Sequence, residues 1–250
     1  MEAMLAFLND PAVKDIYLSR VRAHQEADEL IHGKYWENGK GCAVGCTIHG
    51  SQHAKYETLL GIPRVLAHLE DSLFESLPNG EAKVWPSRFL EAIPVGADLS
   101  RVLPKFLRWL LVDDADGVVK YAKRKQTVKA IRGVALLLDR VCDGQTVTLD
   151  EWRTARATAT AAYAAADVAT YAAAADAAYA AATATDAYAA AAAADAAAYA
   201  AYADYAADAY AAAADAAYAA DYAAARYQSR VRQSEKLLEL LTAAPVMVAA

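Results

Sequence analysis

Between Ala157 and Ala225 this 250-residue chain has no lysine, arginine, glutamate, glycine or proline. The lack of glycine and proline removes the two strongest helix breakers. The lack of basic residues leaves eight aspartates there with no cation in the same segment, among 45 alanines, 10 tyrosines, five threonines and one valine. That segment carries −8 against −6 for the whole chain, so everything outside it sums to +2. No clustered basic surplus is present to neutralise phosphates, and nucleic acid is not an expected partner. Cysteine is scarce: Cys42, Cys46 and Cys142 make an odd count without the spacing of a secreted disulfide framework. A reducing, cytoplasmic setting is the expectation. No signal peptide is expected, and aspartates interrupt the apolar-looking runs before they reach membrane length. No membrane association is expected either.

What is present is helical punctuation. Asp10-Pro11 is an N-cap followed by proline at the first helical position. It predicts a helix over Pro11–His32, with Ile16, Val21, Ala27, Leu30 and Ile31 toward a core, stopped by Gly33. Further helices are expected at Cys42–His49, His53–Leu60, Pro63–Leu77, Glu81–Ala92, Ser100–Val112 and Lys125–Cys142. Turn residues separate them. Period-2 alternation is scarce, which argues against a sheet. Thr148-Leu149-Asp150-Glu151 reads as a capping box opening the alanine-rich part.

The predicted class is all-α: an N-terminal multi-helix domain (1–146), then an Ala/Tyr/Asp-rich helical hairpin or bundle (147–243), then a frayed, disordered tail (244–250). One helix over the 69-residue window would be about 100 Å long, so a hairpin or bundle is favoured over a rod. At about 100° per residue, Tyr188, Tyr199, Tyr202 and Tyr210 share a face opposite Asp186, Asp204, Asp208 and Asp215. Breaks are expected near Thr183–Thr185 and Ala219–Asp221. The last helix, Tyr227–Leu241, turns Val231, Leu237, Leu238 and Leu241 inward. Its Arg226, Arg230, Arg232 and Lys236 are expected to pair with the acidic alanine-rich helices. The alanine-rich helices are the candidate surface for a homo-oligomer.

Chemistry concentrates between His32 and Glu57. Cys42, Cys46, His49 and His53 follow C-x3-C-x2-H-x3-H, and two thiolates with two imidazoles suit tetrahedral zinc, the candidate cofactor. On one straight helix the outer pair would stand about 16 Å apart, so such a site closes only if Gly50-Ser51 folds the chain back. A second reading makes Cys42 a nucleophile at a helix N-terminus beside Lys40, where dipole and charge lower a thiol pKa. His53 or His49 would then be the base, oriented by Glu57 or Glu70. A third makes Tyr35, Trp36, Lys40 and Gly41 a recognition surface for an anion or a protein partner. The plainer accounts are that Trp36 anchors its loop, that His24 and His68 are ordinary helix residues, and that Glu70-Asp71 is a solvated face.

The run His24–Leu30, then His32-Gly33-Lys34-Tyr35-Trp36-Glu37-Asn38-Gly39-Lys40-Gly41-Cys42-Ala43-Val44-Gly45-Cys46-Thr47, resembles a family of uncharacterised bacterial and phage proteins. The resemblance continues through His53–Glu57, Leu69-Glu70-Asp71, Trp85–Phe89 and Ile93–Asp98. The stretch from Lys129 through Asp143-Gly144 and Trp152 into the Ala/Tyr/Asp repeats is similar to alanine-rich helical domains of immunity-like proteins. The first resemblance implies no known activity; the second implies a binding role, immunity-like or anti-defence. With the Tyr35–Cys46 surface, the expectation is a non-enzymatic binding protein acting on a protein partner or a small anionic ligand. A cysteine-dependent enzyme and a zinc-stabilised interaction protein are the alternatives.

Overall fold

Two helix starts carry the side-chain caps that the sequence predicts, at Asp10 and at Thr148. The computed structural model describes residues 4–122, 124–161 and 215–247. Most of the expected alanine-rich hairpin or bundle, including the break near Thr183–Thr185, lies outside the described residues. The chain divides into two compact units, one made of residues 1–102 and 234–250 and the other of residues 103–233. The boundary drawn at residue 146 from composition falls inside the second unit.

In the first unit, α1 spans Pro11–Glu26, and its Ala12 amide donates to the Asp10 carboxylate at 2.9 Å, as the Asp-Pro pair predicts. The helix does not reach His32. It stops at Glu26 because Asp28 turns left-handed at φ 56° and Leu30 then pairs with Gly41 in a parallel bridge. Val21 and Leu30 are buried as expected, but Ile16 is exposed on the solvent side of the helix.

Two short strands follow, β1 (Trp36–Glu37) and β2 (Lys40–Gly41), antiparallel and joined by Asn38-Gly39. Both turn residues have positive φ, 51° and 83°. That is the backbone of a two-residue hairpin turn, which asparagine and glycine adopt at least cost. The all-α class holds, with this one small hairpin inside it.

The helices α2 (Ala43–Ile48), α3 (Lys55–Leu60), α4 (Arg64–Ser76) and α5 (Asn79–Ala92) complete most of the unit. Every residue of α2 is buried, and it packs against α1, α4 and α5. Such burial is worth about 1.5–3 kcal/mol for each of Val44 and Ile48.

In the second unit, α6 (Val102–Val112) begins at the boundary and is followed by α7 (Lys125–Cys142) and α8 (Leu149–Ala161). The capping box forms as predicted: the Glu151 amide donates to Thr148 Oγ1 at 3.2 Å, and the Thr148 amide donates to Glu151 Oε2 at 2.8 Å. Arg140 from α7 also pairs with Glu151. These contacts hold the Glu151 carboxyl at about 2, well below its ordinary value.

The last helix, α9, runs from Asp215 to Thr242 without interruption, so the break expected near Ala219–Asp221 does not occur. Ala219-Ala220 before Asp221 and Ala223–Ala225 after Tyr222 are strong helix formers with no side-chain entropy to lose. Rather than the expected alanine-rich helices, Arg232 meets Asp116 at 2.6 Å and Lys236 meets Glu239 of its own helix at 2.8 Å. Its last turns belong to the first unit, where Leu237 and Leu241 are buried and Glu235 pairs with Arg88 at 2.8 Å.

The tail expected to be disordered is bound as far as Met247. Val246 bridges Ala97, the Asp98 amide donates to Pro245 O at 2.9 Å, and the Met247 amide donates to Gly96 O at 3.1 Å. Backbone groups from 96–98 supply partners that the tail's composition does not reveal.

Candidate functional site

The hairpin lies directly across α2, and two glycines make that possible. A Cβ placed on Gly41 would stand 2.1 Å from the Tyr35 carbonyl oxygen, and one on Gly45 only 1.4 Å from the same atom. Four residues apart at the start of α2, they leave a groove in which the Tyr35–Trp36 backbone sits. The Cys42 amide fixes the crossing by donating to Lys34 O at 2.7 Å. The adjacent rings then go to different histidines. Tyr35 meets His53 edge-on, with centroids 5.4 Å apart, and Trp36 stacks on His49 at 4.5 Å and 16°.

Around Cys42 the chain gathers a polar cluster. Its thiol sulfur and carboxylate oxygens of Asp71 and Glu75 all lie within 4.8 Å of one another. Cys42 precedes α2 as its N-cap, while Asp71 and Glu75 are one helical turn apart on α4. His53 Nε2 stands 3.4 Å from Asp71 Oδ2, and the His53 ring lies flat on His68 at 3.8 Å. Glu75 accepts from the Gly33 amide at 2.8 and 3.0 Å. Next along α4, Glu70 accepts from the Tyr56 hydroxyl at 2.7 Å.

Far from a solvated face, Glu70 is 0% and Asp71 8% exposed. One oxygen of each, Glu70 Oε1 and Asp71 Oδ1, is buried without a hydrogen-bond partner. Burial drives the Glu70 carboxyl far above its ordinary value and raises that of Glu75. It also pushes the Cys42 thiol far up, with the adjacent Asp71 carboxylate adding to the effect. Low dielectric and neighbouring negative charge both disfavour the thiolate.

A second cluster forms at the other end of α2. His24 Nδ1 is 2.6 Å from Glu29 Oε2, and His24 Nε2 is 2.9 Å from His49 Nε2. The Trp36 ring edge meets His24 at 5.5 Å, closing the group. Burial, then Arg20 and His24, lower the pKa of His49.

The four residues read as a zinc stripe are therefore separated. Cys42 joins Asp71 and Glu75, His53 faces Asp71 and His68, and His49 pairs with His24. Cys46 is buried, its thiol donating to Gly41 O at 3.4 Å and pushed up to about 12 by burial. The stripe needs a continuous helix, and α2 ends at Ile48 with His49 left-handed. Among the described residues, Cys42, Asp71 and Glu75 are the one group of three with metal-ligand spacing.

For the nucleophile reading, His53 turns to Asp71, while Glu57 accepts from the Arg64 amide at 3.1 Å. For the recognition surface, Tyr35 and Lys40 are exposed and Trp36 half-buried, but the Gly41 amide is committed to Glu29 O at 3.1 Å. Neither Tyr35, Trp36, Lys40 nor Gly41 lines the cavity of about 260 Å³ formed by His32, Phe74, Asn79, Lys83 and their neighbours.

Asp71, Glu75, His24 and Glu29 were not singled out as site residues by sequence reasoning. One signal was available: Glu70 lies four residues after Leu66 and three before Leu73, inside the apolar stripe of α4. A carboxylate in such a stripe is buried by the period of the helix.

Comparison of the chain with protein-family models, curated proteins and solved structures finds no match. Among the described residues, no helix is long and apolar enough to cross a membrane.

Proposed function

We propose that the protein binds a divalent metal, zinc by the chemistry of its donors, through Cys42, Asp71 and Glu75. A fourth position would remain for water or a small anionic ligand. The observation that carries this reading is Asp71: its Oδ1 is buried without a partner in a group that also holds a thiol and a second carboxylate. An unsatisfied buried polar atom costs about 1–3 kcal/mol, and a bound cation removes that cost. The cation also reverses the local electrostatics, because a coordinating thiol is deprotonated outright. One sulfur and two carboxylates suit a borderline ion. Three protein ligands and an open position resemble working metal centres more than closed structural ones.

This reading retains the zinc of the sequence analysis and changes its ligands. It also moves the small anionic ligand from Tyr35, Trp36 and Lys40 to the metal. The raised thiol pKa favours Cys42 as a ligand over Cys42 as a free nucleophile, since without a cation the thiolate is scarce at neutral pH.

The test is cobalt(II) substitution of chelator-stripped protein. One thiolate-ligated ion per chain, read from the thiolate-to-cobalt absorption band, is expected, with proton release as Cys42 ionises. Cys42→Ser should abolish the band and Asp71→Asn should weaken binding, both with native circular dichroism. A stripped protein that develops no thiolate band at excess cobalt rules the centre out.

A further inference from the structure

His49 occupies a backbone position that asparagine or glycine ordinarily takes. It closes α2 at φ 50°, ψ 54°, the left-handed region that disfavours a side chain at a helix end. Its imidazole is nevertheless held by two neighbours. The Trp36 face covers it at 4.5 Å, and the His24 ring meets it edge-on at 5.1 Å. The strained backbone thus serves to place one ring.

His24 is held from behind. With the Glu29 carboxylate 2.6 Å from its Nδ1, the proton of the neutral ring sits on Nδ1, and the Nε2 lone pair is directed at Nε2 of His49. A carboxylate on the remote nitrogen is the usual support of a metal-ligating histidine, because it fixes tautomer and ring orientation and raises basicity. The two imidazole nitrogens share a proton at 2.9 Å, close enough for both to reach one cation that displaces it.

We propose that His24 and His49 form a second metal site, a bis-imidazole chelate for a tetragonal cation, copper(II) or nickel(II), supported by Glu29 and walled by Trp36. The separation selects the class of ion. With metal–nitrogen bonds of about 2.0–2.1 Å, nitrogens 2.9 Å apart subtend about 90°, the cis angle of a square-planar or octahedral ion. A tetrahedral ion would need them about 3.4 Å apart on the same bond length. Tetragonal sites of nitrogen and oxygen donors favour copper(II) and nickel(II), and copper heads the affinity order. His49 is exposed, so water completes the coordination sphere. The Arg20 guanidinium is held on Thr47 O at 2.9 Å, and the Glu29 carboxylate supplies negative charge beside His24. The site shares no ligand with the Cys42 centre and stands whether or not that centre binds zinc.

The test is copper(II) titration of the full-length wild type and of Cys42→Ser, followed by electron paramagnetic resonance and tryptophan fluorescence. Both proteins should bind one copper whose spectrum shows coupling to two nitrogens. Binding should quench part of the emission, and Trp36→Phe should abolish that part while leaving the copper spectrum intact. Glu29→Gln should weaken binding about 10–100-fold. His49→Gln, checked for native circular dichroism, should reduce the coupling to one nitrogen at most. Two-nitrogen coupling that persists in folded His49→Gln overturns the assignment. So does wild-type affinity equal to that of the His24→Gln/His49→Gln double variant, which would mean the pair shares a proton only.

Discussion

The crossing of the hairpin over α2 predicts a large penalty for one methyl group. In Gly45→Ala the new Cβ would lie 1.4 Å from the Tyr35 carbonyl oxygen and 2.6 Å from its carbon, both backbone atoms. An ordinary contact requires a retreat of about 2 Å, and no rotamer change supplies it. The Tyr35 segment is held by the Cys42 amide and by the β1–β2 pair, so its retreat breaks hydrogen bonds worth about 1 kcal/mol each. It also loosens Tyr35 from His53 and Trp36 from His49, aromatic contacts of about 0.5–1.5 kcal/mol apiece. The helix propensity of alanine returns only about 1 kcal/mol. A net loss of about 3 kcal/mol or more is expected, a large share of the stability of an ordinary domain.

Two substitutions calibrate the measurement. Gly39→Ala meets no atom within 4 Å and carries only the cost of φ 83°, about 1–2 kcal/mol. Gly133→Ala, within α7 and also unobstructed, should stabilise by about 0.5–1 kcal/mol. Urea unfolding followed by tryptophan fluorescence ranks the three. A Gly45→Ala protein within 1 kcal/mol of wild type would refute the crossing, and both clusters would lose the element that aligns them.

Other expectations follow from the same groups. The Glu70 carboxyl is raised in the folded state, so its stabilising contribution is complete below the ordinary carboxylate range and fades as pH rises through its folded value. Metal-free wild type should therefore lose stability from about pH 4.5 upward, by at most about 1.4 kcal/mol per pH unit for this group, and Glu70→Gln should flatten that limb of a thermal-melt series. Glu151 behaves oppositely. Its carboxyl is held at about 2, so the cap is intact above its unfolded value, about 4.5, and weakens as pH falls toward 2. Glu151→Gln should remove that acid dependence from amide exchange in the first turn of α8. Alkylation of native metal-free protein near neutral pH should modify half-buried Cys142 first, and Cys42 and Cys46 only on unfolding. Preferential labelling of Cys42, read by peptide mass spectrometry, would restore the nucleophile reading.

Where neighbours in sequence decide the outcome, the sequence was legible. Asp10 before Pro11 and Thr148 with Glu151 each fixed a helix start through groups two or three residues apart. The small hairpin was legible in Asn38-Gly39, but its strands are two residues each, too short for alternation to show. The candidate clusters were not legible in this way. They depend on α1 ending at Glu26 and on α2 ending at Ile48, and both ends come from left-handed Asp28 and His49, which local propensity does not favour. Once those turns are made, His24 meets His49 across 25 positions and Cys42 meets Asp71 across 29. Glu70 and Asp71 carry the charge of a surface pair, yet the helical phase of α4 buries both.

The bridge between Ala97 and Val246 sets an order of assembly during synthesis. Everything in the His24–Glu75 region emerges from the ribosome early, yet the unit that contains it is closed by Leu237, Leu241 and Val246, about 150 positions after Ala97. At about 5–20 residues per second, translation takes about 7–30 s to deliver those last partners, and the alanine-rich stretch accounts for nearly half of the wait. The length of that stretch therefore acts as a timer: lengthening it delays completion of the first unit without altering a single residue of it. A ribosome that stalls within the repeats holds a nascent chain in which every cluster residue is synthesised and the segment that closes their unit is not.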